Sequence, residues 1–296
     1  MKTTRFSKII ALNHPMIFGM LICICSTTIW SQQEPTKSHY HLFNPTPSHL
    51  MRDFSTDRPD LTESPMTLDA GHFQLELDGI NTTFDHDTEG GENLSSRSTT
   101  YGGVNFKIGL LNHVDLQTTF EIQKIEIIKD RIRGIKSRSK GSGDLSSRLK
   151  INLWGNDGGR SALALMPFFK WPLSASGVRN GKTEGGLILP FSLDLGNGWG
   201  LGAQTELDLV RDESGDRDIE YFNTITVGHA IVGNLSGYLE FAARFTPESN
   251  TDWQGVIGAG LTYAINNDIQ LDGGCYFGTT RSAADYNPFL GVSYRF

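Results

Sequence analysis

The sequence predicts an all-β fold: a transmembrane, antiparallel, up-and-down β-barrel of about 12 strands. Three observations predict it. From residue 70 onward, apolar and polar residues alternate with period 2 in segments of about 10–14 residues, long for soluble strands and suited to tilted strands crossing hydrocarbon. The connections between segments alternate short and long. After residue 31 no apolar run approaches the roughly 20 residues a spanning helix needs.

The elements follow in chain order. Residues 1–31 carry Lys2, Arg5 and Lys8, then the apolar stretch from Met16 to Ile24, then small and polar residues up to Ser31. That is the layout of a secretory signal peptide, with cleavage expected near Ser31. Neither Cys23 nor Cys25 has the small preceding residue of a lipoprotein site, and Cys275 alone would remain, so no disulfide framework is expected. Residues 32–69 are polar and hold Pro35, Pro45, Pro47, Pro59 and Pro65, which reads as an irregular periplasmic segment. It is either a solvated tether or a plug whose Asp57, Arg58, Asp60 and Glu63 fold into the lumen.

The barrel domain is expected over 70–296, with strands near 70–84, 98–110, 113–127, 143–155, 160–172, 183–195, 198–210, 218–231, 235–246, 253–265, 268–278 and 285–296. Short turns fall at Leu111-Asn112, Asn156 to Gly159, Gly196-Asn197, Val232 to Asn234 and Asn266-Asn267, rich in the Gly and Asn that tolerate positive φ. Long polar connections fall at Asp85 to Arg97, Lys129 to Ser142, Ser174 to Lys182, Arg211 to Arg217 and Pro247 to Asp252. An even strand count with this alternation puts both termini and the short turns in the periplasm.

Parity sorts the faces. Leu145, Leu149, Ile151 and Leu153 oppose Asp144, Arg148, Lys150 and Asn152, and Leu187, Leu189, Phe191 and Leu193 oppose Glu184, Ser192 and Asp194. The apolar set should face lipid and the polar set the lumen. Lumen-lining candidates are Glu76, Asp78, Lys107, Glu121, Arg148, Lys150, Glu184, Glu206, Asp208, Glu240, Arg244 and Asp272. Trp154, Trp171, Trp199, Trp253, Tyr263 and Tyr294 sit near strand ends, as interfacial girdles require. In the last strand Gly291, Tyr294 and Phe296 have the spacing of the C-terminal signal read by the barrel assembly machinery.

A net charge of −7 gives no basic footprint, so no nucleic acid is expected. No cofactor and no metal site is signalled. His72, His113 and His229 sit in no nucleophile motif. Ser147 and Lys150 match a Ser-x-x-Lys spacing that works on a helix, whereas on a strand the two point to opposite faces. Asp85, Asp87, Glu89 and Glu92 form an acidic loop, read as solvated rather than calcium-binding.

The stretch from Ser55 to Pro65, STDRPDLTESP, followed by Gly71 to Glu76, resembles the opening of the barrel family named for the meta pathway of phenol degradation. Gly143 to Leu145, Lys150 to Gly155, Glu184 to Gly186, Leu271 to Gly274 and Asp285 to Phe289 agree with it, so the resemblance covers most of residues 55–296. It implies a porin-like outer-membrane channel or transporter for passive uptake of small molecules, aromatic or hydrophobic compounds among them. The expected surroundings are outer-membrane lipid and the assembly machinery. Two other classes stay open: an outer-membrane lipid hydrolase, and a closed structural or adhesive barrel. The acidic excess inside favours cations if the path is wet.

Overall fold

In hydrocarbon no water satisfies an unpaired N–H or C=O, so a sheet that crosses it must close on itself. A computed structural model of the chain describes residues 37–88, 93–173, 183–211, 217–247 and 252–296. The expected leader and its cleavage site, as well as Glu89, Glu92 and the connection at 174–182, lie outside them. The strand segments are β1 (Phe73–Asp87), β2 (Leu94–Leu111), β3 (Val114–Asp130), β4 (Ile135–Gly141), β5 (Leu145–Trp154), β6 (Ser161–Trp171) and β7 (Glu184–Gly196). They continue with β8 (Trp199–Arg211), β9 (Arg217–Val232), β10 (Leu235–Phe245), β11 (Gln254–Asn266), β12 (Ile269–Gly278) and β13 (Tyr286–Arg295).

Apart from β4 and β5, each pairs antiparallel with its chain neighbour, and β1 closes the ring on β13, with Gln74 opposite Lys107 on one side and Arg295 on the other. β3 pairs with β5 through Val114 to Thr119 and with β4 through Lys124 to Asp130, so β4 and β5 share one place in the ring. Thirteen segments, two sharing a place, make a closed barrel of twelve staves. Among the described residues no helix is long and apolar enough to cross a membrane, and the crossing is made by strands.

One connection differs from expectation. Lys129 to Ser142 does not form an irregular loop: β3 and β4 continue as a paired ribbon whose turn lies at Arg131 to Gly134. Its residues are mostly exposed and charged, so no apolar face announces strands there. The ladder is inherited from a pair already in register.

The short turns have the chemistry they need. Asn197 and Gly198 stand at φ 54° and 78° between the paired Gly196 and Trp199, the two positive-φ positions of a type I′ hairpin. At the same end, Phe73 and Phe296 exchange backbone hydrogen bonds of 3.0 and 2.9 Å. Outward positions such as Ile257, Leu261, Ile265, Leu239 and Phe277 are exposed apolar groups that only lipid can cover. Trp154, Trp171, Trp199, Trp253, Tyr263 and Tyr294 are all 44–50% exposed, on the outer face near strand ends.

Candidate functional site: the bore and the segment inside it

The proline-punctuated stretch after Lys37 cannot join a ladder, because each proline removes a donor. Its backbone and side chains find partners inside the barrel instead. It enters at the short-turn rim, where Lys37 pairs with Asp157 at 3.0 Å and Asp69 at 3.4 Å. Beside it Arg52 donates to Asp157 at 2.9 Å and to the Asn112 carbonyl at 2.7 Å. Burial pushes the Asp157 carboxyl up, but hydrogen bonds from Asn112, Arg52 and Lys37 outweigh it and hold it down at about 2. Arg295 adds a bond to the Arg52 carbonyl at 2.8 Å.

Deeper in the bore, Asp57 lies at the centre of a charge-balanced cluster. Lys150 reaches its Oδ1 at 2.6 Å, while Lys107 sits 2.5 Å from its Oδ2 and 2.5 Å from Glu76, and the Asp57 N–H donates to Glu76 at 3.0 Å. All four side chains are almost entirely shielded. Burial alone would raise the Asp57 carboxyl; the two ammonium groups overrule it and hold it well below the usual carboxylate range. Arg58 reaches Asp78 and forms a fork to Asp272 at 2.6 and 3.2 Å, with Phe289 under its guanidinium. Glu63 pairs with Arg148 at 2.5 Å, and its N–H donates to Gln204 at 2.8 Å. Leu61 N–H and the Thr62 hydroxyl donate to Glu240 at 2.8 and 2.6 Å, and Thr62 Oγ1 lies 2.6 Å from Thr224 Oγ1. Burial, then the charge of Glu240, lifts the Asp60 carboxyl well above its ordinary value.

Other polar side chains of the wall pair among themselves. Glu121 accepts from Thr100 at 3.1 Å, Glu184 pairs with Lys170 at 2.8 Å, and Glu206 accepts from Gln204 at 3.0 Å. Arg244 pairs with Glu220, lies 3.9 Å from Asp208 and covers the Phe222 ring. Gly291 faces inward against Arg58, where a Cβ would overlap the guanidinium, while Tyr294 and Phe296 stack outside with centroids 5.4 Å apart.

Two groups were missed by a reading that looked for charge. Thr224, Gln270 and Tyr276 bond the segment through neutral polar groups, alongside Gln74, Asn152 and Gln204, which alternation already assigns to the polar face; the same parity extends to the first three. The second group is an apolar arc on β6 and β7, where Ala162, Ala164, Met166, Ile188 and Pro190 are fully buried on the inner face. The unbroken apolar run from Ala162 to Phe169 was its signal, since such a strand is apolar on both faces.

Two cavities flank the segment. One of about 500 Å³ lies between Asp60 to Met66 and the glycine-rich inner face of β8, and one of about 270 Å³ lies between Arg58 and Glu121. The candidate catalytic groups do not converge. His72 bonds the Thr46 carbonyl, and His229 stacks on Trp199. Ser147 accepts from Trp171 on the outer face, opposite in orientation to inward Lys150. Among the described residues no cluster of three or more His, Cys, Asp or Glu is placed to hold a metal.

A closed twelve-stave barrel with an apolar belt, aromatic girdles and a charged bore is an outer-membrane barrel of the porin-like class. The chain belongs to the family of the MetA pathway of phenol degradation, whose sequence profile matches residues 56–296. No curated protein sequence matches it significantly. Among solved structures, the COG4313 outer membrane channel from Pseudomonas putida F1 is 12% identical, with a TM-score of 0.58 over 82% of this chain and 100% of that one. The NanC porin, 13% identical, gives a TM-score of 0.49 over 74% of this chain and 98% of that one. The CymD monoaromatic hydrocarbon channel, 8% identical, gives 0.43 over 76% and 87%. At 12% identity the likeness to the COG4313 channel shows the fold alone.

Proposed function

We propose that the protein is a passive channel for small molecules, exported by the leader over residues 1–31 and held closed at rest by residues 37–72. The observation that carries this reading is the distribution of the segment's partners. Residues 55–65 bond to β1, β2, β5, β8, β9, β10 and β12, so their attachments span most of the circumference. A bore crossed in this way admits solutes only when those bonds are exchanged. The wall needs no energising partner to exchange them, and flow follows the gradient. Family membership supports aromatic or hydrophobic solutes, and the inner face offers Phe222, Tyr238, Tyr276 and Phe289 as contact surfaces. Among the described residues His72 bonds the Thr46 carbonyl and His229 stacks on Trp199 and meets the Gly198 carbonyl, and these engagements favour a channel over a lipid hydrolase.

Conductance of the refolded protein in a planar bilayer tests it, compared with a variant lacking residues 37–69. The expected result is small steps from the whole protein, larger cation-favouring steps from the variant, and block by small aromatic acids. Silent membranes from both, with folding verified, would overturn it.

A further inference from the structure

Arg58 occupies a site shaped for its head group. Asp272 meets it with both oxygens, the geometry in which a guanidinium and a carboxylate bond most strongly, and Asp78 takes the remaining edge. The Phe289 ring lies 5.8 Å from the guanidinium carbon, and Gly291 keeps the wall clear where any side chain would collide with it. The tether holding the guanidinium there is a loop of the same chain, so the seat itself has no preference for a tethered cation over a free one.

The seat is also reachable. The cavity of about 270 Å³ abuts Arg58 and is lined by Asp78, Gly103, Asn105, Glu121 and Asp144, at the level of the paired Asp78 and Gly103. Glu121 accepts one hydroxyl and has no ion-pair partner among the described residues. Four buried polar atoms of its lining residues have no hydrogen-bond partner: Asn105 Oδ1, Glu63 Oε2, Arg148 Nε and Asp57 Oδ2, the last facing the Lys107 ammonium. Three of the four are acceptors.

We propose that the Arg58 seat is a binding site for a planar organic cation, and that a free guanidinium- or amidinium-bearing solute competes with Arg58 for Asp272 and Asp78 and releases the segment. The proposal rests on the channel reading only for its consequence in conductance. Bonds on either side hold the segment in place, so Arg58 faces its seat at high effective concentration, and a free guanidinium ion should act by mass action in a response that saturates below denaturing concentrations.

The test uses the chain from residue 32 onward with Cys275→Ala and Ser55→Cys, following maleimide labelling at position 55 as guanidinium chloride is added. Labelling should accelerate several-fold and saturate, while tetramethylammonium chloride at equal ionic strength leaves it unchanged. With Arg58→Lys, which keeps the charge and loses the fork, release should need less guanidinium. With Arg58→Gln, labelling should be fast from the start and unresponsive. Equal effects of the two salts, a rise that does not saturate, or an Arg58→Gln protein that still responds would each overturn the proposal. Bilayer recordings on the same proteins separate the two readings. Labelling that responds while membranes stay silent leaves the site and removes the channel, whereas conductance that rises without a labelling response removes the site.

Discussion

The bore has two arcs of different character. On β1 to β5 and β8 to β13 the inner face is charged and polar, and Glu76, Lys107, Lys150, Gln204, Glu240 and Asp272 each hold a named group of the inserted segment. On β6 and β7 the middle of the inner face is Ala162, Ala164, Met166, Ile188 and Pro190, fully buried with no polar group to offer. The contrast separates two tasks. The charged arc decides where the segment sits, because ion pairs and hydrogen bonds are directional and an unpaired buried charge is costly. The apolar arc contributes burial without fixing a register.

The largest effect should come from breaking the charged arc at its centre. Asp57→Ala leaves Lys107 and Lys150 facing each other across a shielded site, and removing one partner of a buried pair costs about 3–5 kcal/mol. The seated state should lose that much against the released one, seen as a rise in conductance and a shift of selectivity toward anions. In the apolar arc, Met166→Ala should lower stability by about 2–4 kcal/mol through the cavity it leaves. Urea unfolding should report that loss while conductance stays at the parent level. A rise in conductance from Met166→Ala as large as that from Asp57→Ala would erase the distinction between the arcs.

A smaller effect sharpens the charged arc itself. Glu63→Gln and Arg148→Met, measured singly and together, should show a coupling of about 1–2 kcal/mol, since the two side chains touch. Additive costs would mean that Glu63 is held by its backbone bond to Gln204 alone. The smallest effect belongs to the rim. The Asp157 carboxyl titrates lower in the folded protein than its ordinary value of 3.8, at about 2, so its contribution is present above that ordinary value and fades as pH falls toward about 2. The group is partly exposed, and the loss should be slight. Urea unfolding between pH 5 and 2 should show a slight loss of stability, and Asp157→Asn should flatten that part of the curve.

Much of this was legible in the sequence, and the limits are instructive. The staves from β6 to β13 lie within one or two residues of the spans read from alternation, because lipid on one side and polar groups on the other make side-chain parity unambiguous. The ribbon of β3 and β4 was hidden because Lys136, Arg138 and Lys140 on one face and Ser137 and Ser139 on the other are all polar and mostly exposed, so that no apolar set marks a buried side. The charged residues of the bore were legible one by one through parity, among them Glu76, Lys107, Lys150 and Asp272. Their partners were not, since Asp57 and Lys150 are 93 positions apart and no local pattern links them. The apolar arc was passed over because polar residues were sought at every inward position, and Ala164 and Met166 are inward without being polar.

The central claim is that residues 55–65 sit across the bore and close it. Thr62 and Thr224 meet with hydroxyl oxygens 2.6 Å apart, one on the segment and one on the wall. Thr62→Cys with Thr224→Cys, in a Cys275→Ala background, should therefore form a disulfide on mild oxidation. Single-channel recording of that protein before and after reduction is the most direct test. The account predicts a bilayer held at its lowest conductance while the bond is intact and larger openings once it is reduced. Cysteines that fail to cross-link in the folded barrel, or a conductance indifferent to reduction, would contradict it.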